Sequence, residues 1–221
     1  MEVTGTPNKY TPTMHIATED GLKITSKNLE NIFITSRAVE PFADVLDKHW
    51  FKADVEDTYN YAFSQGTSAT TYDPNKQITR GEFAVMIARA LELKPTEETG
   101  KFTDTNGKWY ASEVKALRDA GIVNGFVDGT FGGDKTITRQ EAATMLVNML
   151  NYANVDTTPS KQADLIDMDK VGNFAKPSVQ FLAEQGVLSG NQNKEFKPLN
   201  NLTRSEMAKI LVKSIKLTDL Y

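Results

Sequence analysis

The chain has 221 residues, 39% of them hydrophobic and 24% charged, with no cysteine and a formal net charge of -4. That length can bury a real core, while the lack of cysteine excludes disulfides, thiolate metal sites and cysteine nucleophiles. The mildly acidic balance argues against nucleic acid or a basic membrane-binding patch, and no stretch approaches the ~20 apolar residues of a membrane-inserted helix.

The start, Met1-Glu2-Val3-Thr4-Gly5, lacks the basic and apolar regions of a signal peptide. The chain is therefore either intracellular or cut from a longer precursor, and the second reading is preferred. Residues 1–38 form an N-terminal extension. Met14, Ile16 and Thr18 alternate with polar neighbours, Asp20-Gly21 is a two-residue turn, and Leu22 and Ile24 resume the alternation, which predicts a β-hairpin. Leu29 to Val39 fits either a strand or a helix.

From about residue 40 the chain repeats itself. Trp50, Trp109 and Phe174 each stand 30 residues before an arginine, Arg80, Arg139 and Arg204. In that register the columns Val55/Val114/Val179, Gly66/Gly125/Gly190 and Tyr72/Phe131/Phe196 agree in chemistry. The units are taken as residues 39–95, 96–158 and 159–221, three repeats of one domain. Each reads as a first helix, a glycine-bounded loop and a second helix. Gly121 is expected to end the first helix of the middle copy, with Trp109, Val114 and Leu117 on one side of it.

Every second helix opens with the same phrase: Thr79-Arg80-Gly81-Glu82, Thr138-Arg139-Gln140-Glu141 and Thr203-Arg204-Ser205-Glu206. Thr followed three residues later by Glu is a capping box. Apolar stripes follow: Phe83, Met86, Ile87, Ala90, Leu91 in the first copy, Ala142, Met145, Leu146, Met149, Leu150 in the second, and Met207, Ile210, Leu211, Ser214, Ile215 in the third. One helical hairpin cannot hide such a face, but three meeting around an axis can. The arginine is the unexpected part. A cation in the first turn opposes the helix dipole, which favours anions there by ~0.3–1 kcal/mol. Either each arginine packs its stem and solvates its head, or free first-turn amides and a forked guanidinium together face a bound anion.

The phrases Phe102-Thr103-Asp104 with Trp109, Ala120-Gly121-Ile122-Val123-Asn124-Gly125, Asp128-Gly129-Thr130-Phe131 and Ile137-Thr138-Arg139-Gln140-Glu141 resemble one S-layer homology (SLH) motif. The other copies run from Phe42-Ala43-Asp44 and His49-Trp50 to Glu82, and from Leu165 to Glu206. The resemblance implies a mainly α fold, a pseudo-threefold spindle around a central three-helix bundle, on a secreted bacterial surface protein. It implies non-covalent anchoring to an acidic secondary cell-wall polysaccharide, often one carrying a pyruvylated amino sugar, bound in grooves between repeats. Carried over position by position, the ligand-binding residues are Arg80, Arg139 and Arg204, Trp50 and Trp109, Asp44 and Asp104, and loop backbone at Gly125. The third copy departs most, with Phe174 for Trp and Leu165-Ile166-Asp167 for the aromatic-x-Asp phrase.

Blander roles stand beside these. Trp50 and Trp109 could cap the core, and Asp44 and Asp104 could cap the loop before the first helix. A rival function is a degenerate SLH trimer that acts as an assembly or spacer module against neighbouring S-layer subunits. No enzyme, cofactor or metal is expected: Ser112-x-x-Lys115 has no companion motif, and Phe102 fills the first position of the only calcium-loop spacing. Arg139→Ala is expected to weaken wall binding and leave stability nearly unchanged.

Overall fold

Each Thr-Arg-x-Glu phrase starts a helix by closing its capping box on both sides. Thr79, Thr138 and Thr203 accept from the amides of Glu82, Glu141 and Glu206, whose carboxylates return to the threonine amides. A computed structural model describes residues 15–18, 21–24, 42–94 and 102–220. Leu29 to Val39 lies outside the described residues. The fold is mainly α. Among the described residues six α-helices run in chain order: α1 (Lys52–Asn60), α2 (Arg80–Ala90), α3 (Ala111–Asp119), α4 (Arg139–Tyr152), α5 (Lys176–Glu184) and α6 (Arg204–Ile215). In the extension, β1 (His15–Thr18) pairs antiparallel with β2 (Gly21–Ile24), with His15 opposite Ile24.

The second helices α2, α4 and α6 touch one another, and all fifteen stripe positions named above are buried. Ala84, Val85 and Ala88 are buried too, so α2 hides more than one stripe, as a central helix must. Ser214 is tolerated in this core because its hydroxyl donates to the Ile210 carbonyl at 2.7 Å. The first helices lie outside, and the pairing crosses repeats: α3 packs on α2, α5 on α4, and α1 on α6. The structure thus has three lobes, each made of the first helix of one repeat and the second helix of the repeat before it. The first lobe (α1 with α6) closes the circle by joining the start of the repeated region to its end.

A ring of backbone hydrogen bonds links the starts of the second helices. Ile78 donates to the Leu202 carbonyl (3.0 Å), Leu202 to Ile137 (3.1 Å) and Ile137 to Ile78 (3.2 Å). All three side chains are fully buried, so the apolar residue before each cap has a reason in both its side chain and its amide.

Gly121 and Gly186 end the first helices of the second and third repeats in the left-handed region, at φ 74° and 68°. Ala62 occupies the same column and takes the same conformation, at φ 56°. An L-residue there is strained by roughly 1–2 kcal/mol, offset in part by the freedom glycine would add to the unfolded chain. Ala62→Gly is therefore expected to raise stability in urea denaturation by up to about 1 kcal/mol.

Candidate functional site

The lobes place the expected site residues together across repeat boundaries. Arg204 shares the first lobe with Asp44 and Trp50, Arg80 shares the second (α2 with α3) with Asp104, Trp109 and Gly125, and Arg139 shares the third (α4 with α5) with Asp167 and Phe174. Each loop between first and second helix is fastened by its aspartate. Asp44 accepts the amides of Tyr72 (2.8 Å) and Asp73 (2.7 Å), and Asp104 those of Phe131 and Gly132 (both 2.7 Å). Asp167 does the same with Phe196 (2.7 Å) and Lys197 (2.8 Å), despite its divergent sequence context. Burial works to raise the Asp167 carboxyl, but the amides of Phe196 and Lys197, its own amide and the Lys170 charge together hold the group below the ordinary carboxylate range.

The first-turn amides of the second helices are not free for an anion, contrary to the expectation from sequence. Arg80 and Gly81 donate to the carbonyls of Lys135 (2.9 Å) and Gly133 (2.8 Å). Arg139 and Gln140 donate to Asn200 (2.9 Å) and Pro198 (3.1 Å), and Arg204 and Ser205 to Lys76 (2.9 Å) and Pro74 (3.0 Å). With the third amide taken by the threonine cap, each helix start is plugged by the loop of the next repeat around the ring.

Nor do the arginine heads of the first and third lobes lie in solvent. Arg204 donates through Nε to the Tyr72 carbonyl and through Nη2 to that of Gln65, both at 2.8 Å, and stacks 4.6 Å from the Tyr72 ring. Arg139 donates to Phe196 (2.7 Å) and Ser189 (3.3 Å), stacks 4.9 Å from the Phe196 ring, and has Glu206 at 3.6 Å. These are staples between repeats. Arg80 differs: its buried Nε has no hydrogen-bond partner among the described residues. Its guanidinium lies 5.0 Å from the Phe131 ring and 5.2 Å from that of Phe126. Desolvation lowers its pKa, and the Glu141 carboxylate opposes that shift.

The tryptophans are not core caps. Trp50, Trp109 and the corresponding Phe174 are 59%, 62% and 60% exposed. Trp109 precedes α3 and does not share its buried side; the next residue enters the core instead, as Phe51, Tyr110 or Ala175. Trp50 carries Lys209 over its ring at 4.9 Å. Gly125 is required by its backbone: φ is 71°, and a Cβ there would lie 2.3 Å from Phe102 Cε1.

Sequence reasoning missed Arg118 and Phe126. Arg118 donates to the Asn124 carbonyl at 2.8 Å, in the loop that Arg80 flanks. The available signal was that Phe126 is the single aromatic in a column otherwise held by Thr67 and Asn191. Among the described residues no group of three or more His, Cys, Asp or Glu could hold a metal ion, and no helix is long and apolar enough to cross a membrane.

Three tandem helix–loop–helix repeats, packed in lobes that each draw on two repeats, define a helical repeat protein. The sequence matches the S-layer homology domain at residues 41–84, 101–143 and 167–208. The chain belongs to the S-layer homology domain family. It is 34% identical over 172 residues to an endoglucanase of Bacillus sp. (strain KSM-635), a match covering 77% of this chain and 18% of the relative. It is 32% identical over 172 residues to an amylopullulanase of Thermoanaerobacterium thermosulfurigenes, covering 77% and 9%. An S-layer protein of Bacillus thuringiensis subsp. finitimus is 28% identical over 182 residues, covering 81% and 22%. The chain spans less than a quarter of the length of each of these relatives.

The staples revise the expectation for Arg139. Arg139→Ala should lower stability by about 1.5–3 kcal/mol, because it removes charge-assisted bonds to two carbonyls. Arg80→Met should be neutral or stabilising, since it keeps the stem and removes a buried donor without a partner. Urea denaturation of both variants separates the two roles. For Asp167, the folded-state pKa lies below the unfolded value of about 3.9. The group therefore stabilises above that pH, and its contribution disappears as pH falls through the folded value. Stability measured below about pH 4 should drop less steeply in Asp167→Asn than in the parent chain.

Proposed function

We propose that this chain anchors a bacterial surface protein to the cell wall, without covalent attachment and without catalysis of its own. Its ligand is an acidic secondary cell-wall polysaccharide, with a pyruvylated amino sugar as the recognised unit. The observation that carries this reading is the recurrence, in each lobe, of an exposed aromatic just before a first helix, in a lobe that also holds a motif arginine of the preceding repeat. A soluble domain has no folding reason to leave two tryptophans and a phenylalanine largely in water at equivalent positions. Sugar faces stack on such rings, and a ketal carboxylate pairs with a guanidinium.

The closed ring at Ile78, Ile137 and Leu202 supports the pseudo-threefold spindle around α2, α4 and α6. With a net charge of -4, long-range attraction does not draw an acidic polymer to the domain, so recognition falls to local cations and stacking. Asp44, Asp104 and Gly125 are assigned to shaping the loops, since both aspartate carboxylates already hold loop amides. The matched segment is shared by relatives described as an endoglucanase, an amylopullulanase and an S-layer protein. A segment common to proteins of such different description is better suited to attachment than to any one of their activities. Secretion to the bacterial surface follows from the same reading.

Purified walls test this. The chain should sediment with pyruvylated wall and remain in solution when the ketal has been removed by mild acid. Trp109→Ala should weaken the association roughly three- to tenfold, the range of an aromatic contact, with unfolding unchanged. A spacer or assembly module would be indifferent to the wall and would self-associate instead, and a wall hydrolase would release reducing sugar.

A further inference from the structure

The three lobes follow one plan, yet the second is wired differently. In the other two, the motif arginine is held by two carbonyls of the facing loop, Tyr72 and Gln65 for Arg204 and Phe196 and Ser189 for Arg139. The same register makes Phe131 and Asn124 the corresponding carbonyls for Arg80. Asn124 is already taken by Arg118, whose column holds Tyr59 and Ala183 in the other repeats. Asn124 is the counterpart of Gln65 and Ser189, which receive Nη2, so Arg118 competes for the second of the two bonds. Nε, which binds Tyr72 or Phe196 in the other lobes, has no partner among the described residues, and Arg80 is 9% exposed.

Phe126 covers it. The ring is 39% exposed and fits there because position 132 is glycine, where a Cβ would lie 2.6 Å from Phe126 Cε2. Lys135 stands over the same ring at 5.4 Å. The main chain of this loop is pinned by Phe126 N donating to Thr130 O (2.7 Å) and Gly129 N to Phe126 O (3.1 Å). The ring can therefore swing by side-chain rotation while the loop stays in place. A carboxylate entering beneath it would meet Arg80 and Lys135 together and give the buried guanidinium its missing acceptor. In the other lobes an anion would first have to break two bonds to carbonyls.

We propose that the second lobe is the acidic-ligand lobe of this domain, with Arg80 as the accepting group, Arg118 as the positioning residue that keeps Arg80 free, and Phe126 as a movable cover. The proposal rests on the anchoring reading above and adds which groove is used and what selects it.

The full chain, labelled with 15N-arginine, can be titrated with an N-acetylhexosamine carrying a pyruvyl ketal and with the same sugar lacking it, following the Nε–Hε and Nη–Hη signals of the arginine guanidinium groups. The ketal sugar should shift the Arg80 signal and leave those of Arg139 and Arg204 in place. Arg80→Lys should weaken binding at least about tenfold, the loss expected when a charge-assisted bidentate contact is removed. Arg118→Ala should do likewise, and in the free protein should move the Arg80 signal toward the positions of the carbonyl-bound pair. Phe126→Ala should bind faster. Movement of the Arg139 or Arg204 signal instead, or undiminished binding by folded Arg80→Lys, would overturn the lobe assignment and leave the anchor reading standing. An Arg80 signal unmoved in Arg118→Ala would overturn the positioning role. No response to the ketal sugar by any signal of the parent chain would overturn both.

Discussion

The structure depends on a hydrogen-bond debt that no single repeat can settle. A helix start exposes amides that must find acceptors once buried. Here the threonine cap satisfies the third, and the first two reach carbonyls in the loop of the following repeat, as in Gly81 to Gly133 and Ser205 to Pro74. Because Arg204 and Ser205 turn to the first repeat for theirs, the chain must close on itself before its last helix is satisfied. The ring through Ile78, Ile137 and Leu202 runs in the same direction as this closure. Each repeat thus relies on its neighbours for backbone acceptors, as units do in any repeat architecture.

That closure also settles the charge puzzle. The N1 arginine is long enough to leave the first turn, so its guanidinium does not sit in the unfavourable end of the helix dipole. Arg139 and Arg204 direct their forks at main-chain carbonyls 50 or more residues away in sequence. The aspartates fasten the same stretch of each loop through paired amides, so Tyr72 and Phe196 are held at both N–H and carbonyl. Staple and fastener together leave the loops little freedom, which is what a surface built to present exposed rings needs.

Equivalent positions need not do equivalent work. The second lobe has Tyr110 wedged against Gly81 and Gly133, where an added Cβ would come within 2.6 Å and 2.3 Å of the ring. The tyrosine hydroxyl donates to Asp134 at 2.9 Å, and burial with that carboxylate pushes its pKa well up. The first and third lobes have Phe51 and Ala175 at this position, with Pro74 and Pro198 for Gly133. Substitutions that trade bulk between partners keep the helices in place while changing what each groove offers.

The repeat register, the capping boxes, the buried stripes and the helix end at Gly121 are legible in the order of residues alone. Each is written in residue types at short, fixed spacing, and local backbone geometry reads it directly. Only the tertiary structure decided which repeats share a lobe, that Trp50 and Trp109 face outward while Phe51 and Tyr110 go in, and that two arginines are stapled and one is not. Those outcomes turn on main-chain carbonyls, which every residue carries and no residue type marks. The same phrase therefore reads alike three times, while its guanidinium Nε meets Tyr72, Phe196 or, among the described residues, no acceptor.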